Sequence, residues 1–251
     1  MSRPAPQTPE TFDPAAFPKK LNLGCWFDHR AGFVNVDMNA WHHPDLLADV
    51  RKIGFLPALH YDEIVAQDVL EHLPRTETLR TLAHWNRVLR RGGTITIRVP
   101  SVLGVADLLS QRANRNPAKQ EELIQCLFGT QAYTGDFHFT SFTDVLLEHY
   151  LERAGFRQRR CELLHEWLFD VTAEKVEHIE VPPVPDYTGL VDIAGDEEFV
   201  RACYRELLKR DPDAGGFDFY VTSLRTGGMT RQMVIDIMGG SVEYSVLHRT
   251  P

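Results

Sequence analysis

Two positions near the start of the chain and three further on have residue types and spacings that could do chemistry. Gly24 directly follows the apolar run Leu21-Asn22-Leu23, and Asp37 closes the run Val34-Asn35-Val36. A glycine just past a first strand lets backbone approach a ligand closely, and an acid ending a second strand can accept hydrogen bonds from both hydroxyls of a ribose. A dinucleotide site would place that acid about 20 residues beyond the glycines, after a full helix. Here only thirteen positions separate Gly24 from Asp37, so a full crossover helix barely fits. Farther along, Asp68, Glu71 and His72 form D-x-x-E-H, which shares one face if a helix starts there. Two carboxylates and an imidazole can hold a divalent cation. Alternatively His72 acts alone as a general base or orients an acceptor, or the three residues only begin a helix.

These residues need a sheet edge to hold them. Short apolar runs at Lys20–Leu23, Phe33–Val36, Leu46–Val50, Ile64–Ala66 and Thr94–Val99 read as strands, and Phe156–Leu164 with Trp167–Val176 reads as a closing pair. Between them, Leu79, Leu82, Ala83, Trp85, Val88 and Leu89 mark a helix over Pro74 to Val88, ended by Arg90-Arg91-Gly92-Gly93. A second helix runs from Phe142 to Ala154 and stops at Gly155. This alternation predicts a parallel sheet with helices, with Gln67 and Asp68 facing the crevice at the end of the fourth strand.

Residues 1–18, with five prolines, read as an extended lead-in with little core of its own. Three prolines, Pro182, Pro183 and Pro185, place a linker over 179–195. The intervening 19–178 is then one α/β domain. From 196 to 251 the periodicity is helical only, through Phe199, Cys203, Leu207, Phe217, Val221, Leu224, Val234 and Ile237. Lys and Arg number 27 against 35 Asp and Glu, a net charge of −8, which argues against a nucleic-acid partner. No apolar window is long enough for a membrane span and no signal core is visible, so the expected location is cytoplasmic. Cys25, Cys126, Cys161 and Cys203 form no C-x-x-C pair and read as reduced thiols.

Four ordered motifs, LNLGC at 21–25, VNVD at 34–37, AQDVLEHL at 66–73 and LRRGGTITI at 89–97, together resemble the class I S-adenosylmethionine-dependent methyltransferases, in particular the subgroup reading LNLGCG and DVLEHL. The resemblance covers roughly Lys19 to Val176. It implies an α/β fold with a Rossmann-like seven-stranded class I methyltransferase sheet, carrying here a small all-α C-terminal domain. It implies S-adenosylmethionine as cofactor, S-adenosylhomocysteine as product, and cofactor contacts at Leu23, Gly24, Cys25, Trp26, Asp37, Met38, Asp49, Val50, Gln67 and Asp68. Asp49 would face the adenine, or else is a solvated acid at a helix start. Trp26 departs from the subgroup's glycine: its indole would either lie over the sulfonium or block the pocket. His72 and His138 are the base candidates, His138 because its loop matches the passage on the acceptor side; an aromatic-flanked histidine is otherwise commonly a packed one. Some related enzymes hold a divalent metal at an E-x-x-E-H version of the motif; most with L-E-H do not, and no metal ligand is assigned.

Residues 204–244, with Tyr204, Arg210, Asp213, Gly216 and the stretch Ser241-Val242-Glu243-Tyr244, resemble a small helical domain of unknown function often attached to bacterial surface-glycan proteins. Arg210 and Asp213 would bracket a helix end and Gly216 a tight turn. The expected activity is O-methylation of a sugar or surface-glycan precursor, with acceptor choice set by Trp41–Pro44 and the Ser101–Ser141 insertion. The alternatives are a small-molecule methyltransferase and a non-catalytic scaffold without cofactor. The helical domain would bind a partner or mediate oligomerisation.

Overall fold

The fold is given by a computed structural model that describes residues 5–133, 135–179, 181, 187–239 and 241–247. It divides into two compact units, Met1–Val181 and Pro182–Pro251. Pro4 of the lead-in and the linker prolines 182, 183 and 185 lie outside the described residues.

In the first unit, seven strands form one sheet: β1 (Lys20–Leu23), β2 (Val34–Asp37), β3 (Leu46–Leu47), β4 (Tyr61–Gln67), β5 (Leu89–Pro100), β6 (Phe156–Leu164) and β7 (Leu168–Lys175). Their order is β3-β2-β1-β4-β5-β7-β6, parallel from β3 to β5, with β7 antiparallel to both neighbours. This is the Rossmann-like class I methyltransferase arrangement. Leu21, Leu23, Val34 and Val36 are fully buried, as strands covered on both faces require. Asn22 and Asn35 are buried beside them and hydrogen-bonded: Asn22 Nδ2 donates to Asn35 Oδ1 at 3.0 Å, Asn35 Oδ1 also accepts from the Arg30 N–H at 2.8 Å, and Asn35 Nδ2 donates to Asp45 Oδ2 at 2.8 Å. Buried amides without such partners would be costly.

The first crossover, residues 24–33, contains no α-helix at all, and the second, 38–45, has only a 3-10 turn over Ala40–His42. The third expected strand is also shorter than its apolar run: β3 ends at Leu47, and Val50–Phe55 is 3-10. Conversely, β5 starts at Leu89. Tyr61 pairs with Leu89 and Glu63 with Thr94, so Arg90-Arg91-Gly92-Gly93 is a bulge inside a strand and not the turn its glycines suggest.

Helix α1 (Thr78–Val88) buries Leu82, Trp85 and Val88, and the Trp85 indole N–H donates to the Val50 carbonyl at 2.9 Å. Lys175, 2% exposed, donates from Nζ to the carbonyls of Asn86 (2.6 Å) and Leu89 (2.8 Å), a cation at the C-terminus of α1. The Ser101–Ser141 insertion carries α2 (Val102–Ser110) and α3 (Pro117–Phe128), which share Val105, Leu108 and Leu123. Helix α4 (Asp144–Arg153) follows, capped by Thr143. The lead-in is more than a tether. Gln7 donates to the Asp45 carbonyl and accepts from Leu47, and Phe12 joins the core.

Among its described residues the second unit has helices and no strands: α5 (Thr188–Val191), α6 (Asp196–Leu208), α7 (Ala214–Arg225), α8 (Arg231–Gly239) and α9 (Val242–Leu247). Its core joins Phe199, Cys203 and Leu207 to Val221, Val234 and Met238; burial pushes the Cys203 thiol up to about 12. Gly216 has a different role from the expected turn. It lies in the first turn of α7, where its N–H donates to the capping Asp213 carboxylate at 2.8 Å and a Cβ would collide with the Tyr204 hydroxyl. Arg210 forks onto Glu243 at 2.6 and 3.1 Å. Among the described residues no helix is long and apolar enough to cross a membrane.

Candidate functional site

The strand order reverses between β1 and β4, and open α/β sheets present their ligand crevice at the carboxyl ends of the strands at such a point. Gly24 leaves β1 at φ +64°, and a Cβ there would meet Val69 Cγ2 at 2.6 Å, so the turn after β4 closes directly against it. Cys25 is buried, its N–H donating to the Val36 carbonyl at 3.0 Å. Trp26 follows at φ +42°, an unfavourable left-handed backbone for an L residue. Its N–H donates to Asp37 Oδ2 at 3.0 Å.

Asp37 is 7% exposed at the end of β2. Oδ1 accepts from the Asn39 N–H at 2.8 Å, and His42 Nδ1 lies 3.0 Å away without the alignment of a hydrogen bond. A carboxylate has about four lone-pair sites, so two backbone N–H groups orient this one and leave capacity for a diol. Around it Trp26, Phe27, Trp41 and His42 form an aromatic group, with Trp26–Phe27 centroids 5.1 Å apart, Phe27–Trp41 5.3 Å and Trp26–His42 6.3 Å. Trp26, Trp41 and the adjacent Met38 are exposed.

The remaining expected contacts divide. Leu23 and Val50 are core residues, and the Val50 carbonyl is taken by Trp85. Asp49 caps the 3-10 turn after it and forks onto Arg51. Burial opposes its ionisation, but the Arg51 hydrogen bonds hold its carboxyl below the usual range. Gln67 Oε1 accepts from Arg30 at 2.5 Å, and Arg30 also holds Asp28 Oδ2 at 2.9 Å. Arg30 thus ties the loop after β1 to the end of β4, a link with no local sequence signal.

Asp68, Glu71 and His72 do not share a helical face. Asp68 sits at φ +55° and Val69 is non-helical, leaving only the 3-10 turn Leu70–His72. The Asp68 carboxylate turns to Arg98, whose Nε donates at 2.9 and 3.1 Å. His138 takes its place beside the other two. The Glu71 carbonyl accepts from the Phe139 N–H at 2.7 Å and from Thr140 at 3.3 Å, which draws the 136–140 loop onto the turn after β4. The His72 and His138 rings meet edge to face, centroids 4.7 Å apart. His72 Nδ1 lies 3.2 Å from the Phe137 carbonyl oxygen and His138 Nδ1 3.2 Å from that of Cys126. A proton on each Nδ1 satisfies those carbonyls and leaves Nε2 as the free lone pair. Burial, and after it His72, holds the His138 imidazole below its usual range. Glu71 is 1% exposed; burial and the nearby Asp68 hold its carboxyl well above the carboxylate range, and its Oε2 has no hydrogen-bond partner. One ligating atom from each of Glu71, His72 and His138 lies within 4.8 Å of the other two.

A family model described as a domain of unknown function (DUF4214) matches residues 192–248, within the second unit. No curated protein matches the chain. Among solved structures, similar ones include a Bordetella parapertussis protein (16% identity, 64% of this chain and 63% of that one, TM-score 0.47). Another is the 1,6-didemethyltoxoflavin-N1-methyltransferase of Burkholderia thailandensis, solved with S-adenosylhomocysteine (14%, 65% and 73%, TM-score 0.43). A third is an S-adenosylmethionine-dependent methyltransferase of Mesorhizobium loti (17%, 64% and 94%, TM-score 0.45). The chain spans less than two thirds of the Bordetella protein. Likeness at this level says nothing of the reaction, and the fold assignment stands on the strand order itself.

Proposed function

We propose that the first unit is an S-adenosylmethionine-dependent methyltransferase acting on a hydroxyl oxygen. The observation that carries this is Asp37: a buried carboxylate at the end of β2, oriented by the Trp26 and Asn39 N–H groups, facing the Gly24 turn where the strand order reverses. That is a place for a ribose, with the exposed Met38 and Trp26 beside it as apolar surface for the rest of the nucleoside. Methyl transfer is an in-line displacement. The carbon–sulfur bond breaks as the carbon–oxygen bond forms, and the sulfonium's own reactivity leaves the protein to align the partners and accept one proton. His72 and His138, with Nε2 free, are the groups to accept it. The sugar or glycan-precursor acceptor rests on the resemblance of the helical domain alone, an associational ground; that domain would recruit a partner or a second copy.

Trp26 favours one competing reading. A left-handed, exposed indole where the resembling enzymes have glycine would suit a scaffold that has lost its cofactor. Titration calorimetry with S-adenosylmethionine and S-adenosylhomocysteine separates the two. Micromolar binding of both is expected, and a folded protein that binds neither is a scaffold.

A further inference from the structure

We infer that Glu71, His72 and His138 form a binding site for one divalent transition-metal ion of the zinc, cobalt or iron(II) kind. Three observations converge on this. The Glu71 carboxyl is 1% exposed, yet its Oε2 has no partner, and such an orphan in a buried position calls for a donor or a cation. Both imidazoles face a backbone carbonyl through Nδ1, at 3.2 Å in each case, the outer-sphere arrangement that fixes a ligating histidine's tautomer and leaves Nε2 as the nitrogen to ligate. The three ligating atoms lie within 4.8 Å of one another. Ligands about 2.0–2.2 Å from a zinc ion sit roughly 3.3 Å apart in a tetrahedron, so the groups close by up to about 1.5 Å on binding. His138 is brought to the turn by the hydrogen bonds from Phe139 and Thr140 to the Glu71 carbonyl, a linkage across the fold.

The donor set selects the ion. Two imidazole nitrogens and one carboxylate suit zinc, cobalt and iron(II), whereas magnesium and calcium prefer all-oxygen shells. Three protein ligands leave a tetrahedral ion one open position, the pattern of a reactive site and not of a structural one. The presence of the ion is independent of the methyl-transfer reading; its use rests on that reading. With the ion bound, the two rings would hold it instead of taking the acceptor's proton, and the open position suits a hydroxyl oxygen that the ion would acidify, its proton then leaving to solvent.

The test uses the untagged full chain, stripped with EDTA and titrated with Zn2+ by calorimetry and with Co2+ by visible absorption. One ion per chain is expected, with cobalt d–d bands of a nitrogen-and-oxygen site and no displacement by equimolar Mg2+. Glu71→Gln and His138→Ala each weaken binding by about tenfold or more, whereas His165→Ala, on the exposed β6–β7 turn, does not. If Glu71→Gln fails to fold, His138→Ala carries the test, because that ring is only half-buried. No stoichiometric binding, or binding kept in the folded variants, overturns the assignment. S-Adenosylhomocysteine is titrated into the same sample. Binding of it without zinc removes the metal site alone, and zinc binding without it removes the methyltransferase reading alone.

Discussion

Asp37, the last residue of β2, and Glu71, in the turn that follows β4, are both buried carboxyl groups at the carboxyl ends of parallel strands on either side of β1, and their surroundings differ. Asp37 receives two backbone N–H groups and a nearby imidazole from its own chain. Glu71 has a side-chain oxygen with no partner, and burial holds it above the usual carboxylate range. A carboxylate that the fold already orients can present its remaining lone pairs to a neutral diol. One that the fold leaves short of a donor is a place for a cation.

Substitutions at the two positions should therefore behave differently. Asp37→Ala leaves the Trp26 and Asn39 N–H groups without their acceptor, and should cost about 2–3 kcal/mol of stability. S-Adenosylhomocysteine affinity should fall at least about tenfold as well; denaturant melts and calorimetry read the two effects, and unchanged values would put the diol elsewhere. Gly24→Ala meets both the left-handed backbone and Val69, an expected loss of about 1–2 kcal/mol in the same melts. Trp26→Gly relieves the backbone and removes the indole. If the ring lies over the sulfonium, affinity for S-adenosylmethionine should fall about threefold relative to S-adenosylhomocysteine, and an equal change in both would make the ring a simple cover. Glu71→Gln, measured in EDTA, should shift the unfolding free energy by under about 0.5 kcal/mol, since no partner is lost at Oε2. A loss as large as that of Asp37→Ala would mean that the carboxyl is already satisfied and would erase the contrast.

Much of this edge was legible in the sequence. The run Lys20–Leu23 is β1 as read, and Asp37 proves to be the last residue of β2, because strand ends set by buried β-branched and leucine side chains leave a clear local pattern. The glycine pair at 92–93 misled because a bulge and a turn need the same residues, and only the pairing of Tyr61 with Leu89 distinguishes them. Asp68 misled because a helical face was inferred from spacing, whereas the left-handed backbone at Asp68 and its pairing with Arg98 carry it away from Glu71. His138 could be singled out, but its meeting with Glu71 depends on hydrogen bonds between segments far apart in the chain, which no local pattern reports. Arg30 left no trace in the sequence at all.

The missing helix between β1 and β2 bears on how the molecule comes together. Crossovers between parallel strands usually take a dozen residues or more, but here β1 reaches β2 over 24–33 and β2 reaches β3 over 38–45. Short loops close at little entropic cost, while β7 must wait for pairing with β5 across the whole insertion, and Lys175 for carbonyls some ninety residues earlier. Amides of β2 should thus gain protection in pulsed hydrogen exchange before those of β7, and simultaneous protection would deny the order. During refolding the end of the sheet that carries Asp37 would then form before the loop that carries His138 has arrived, so the two buried carboxyl groups of this edge would gain their surroundings at different times.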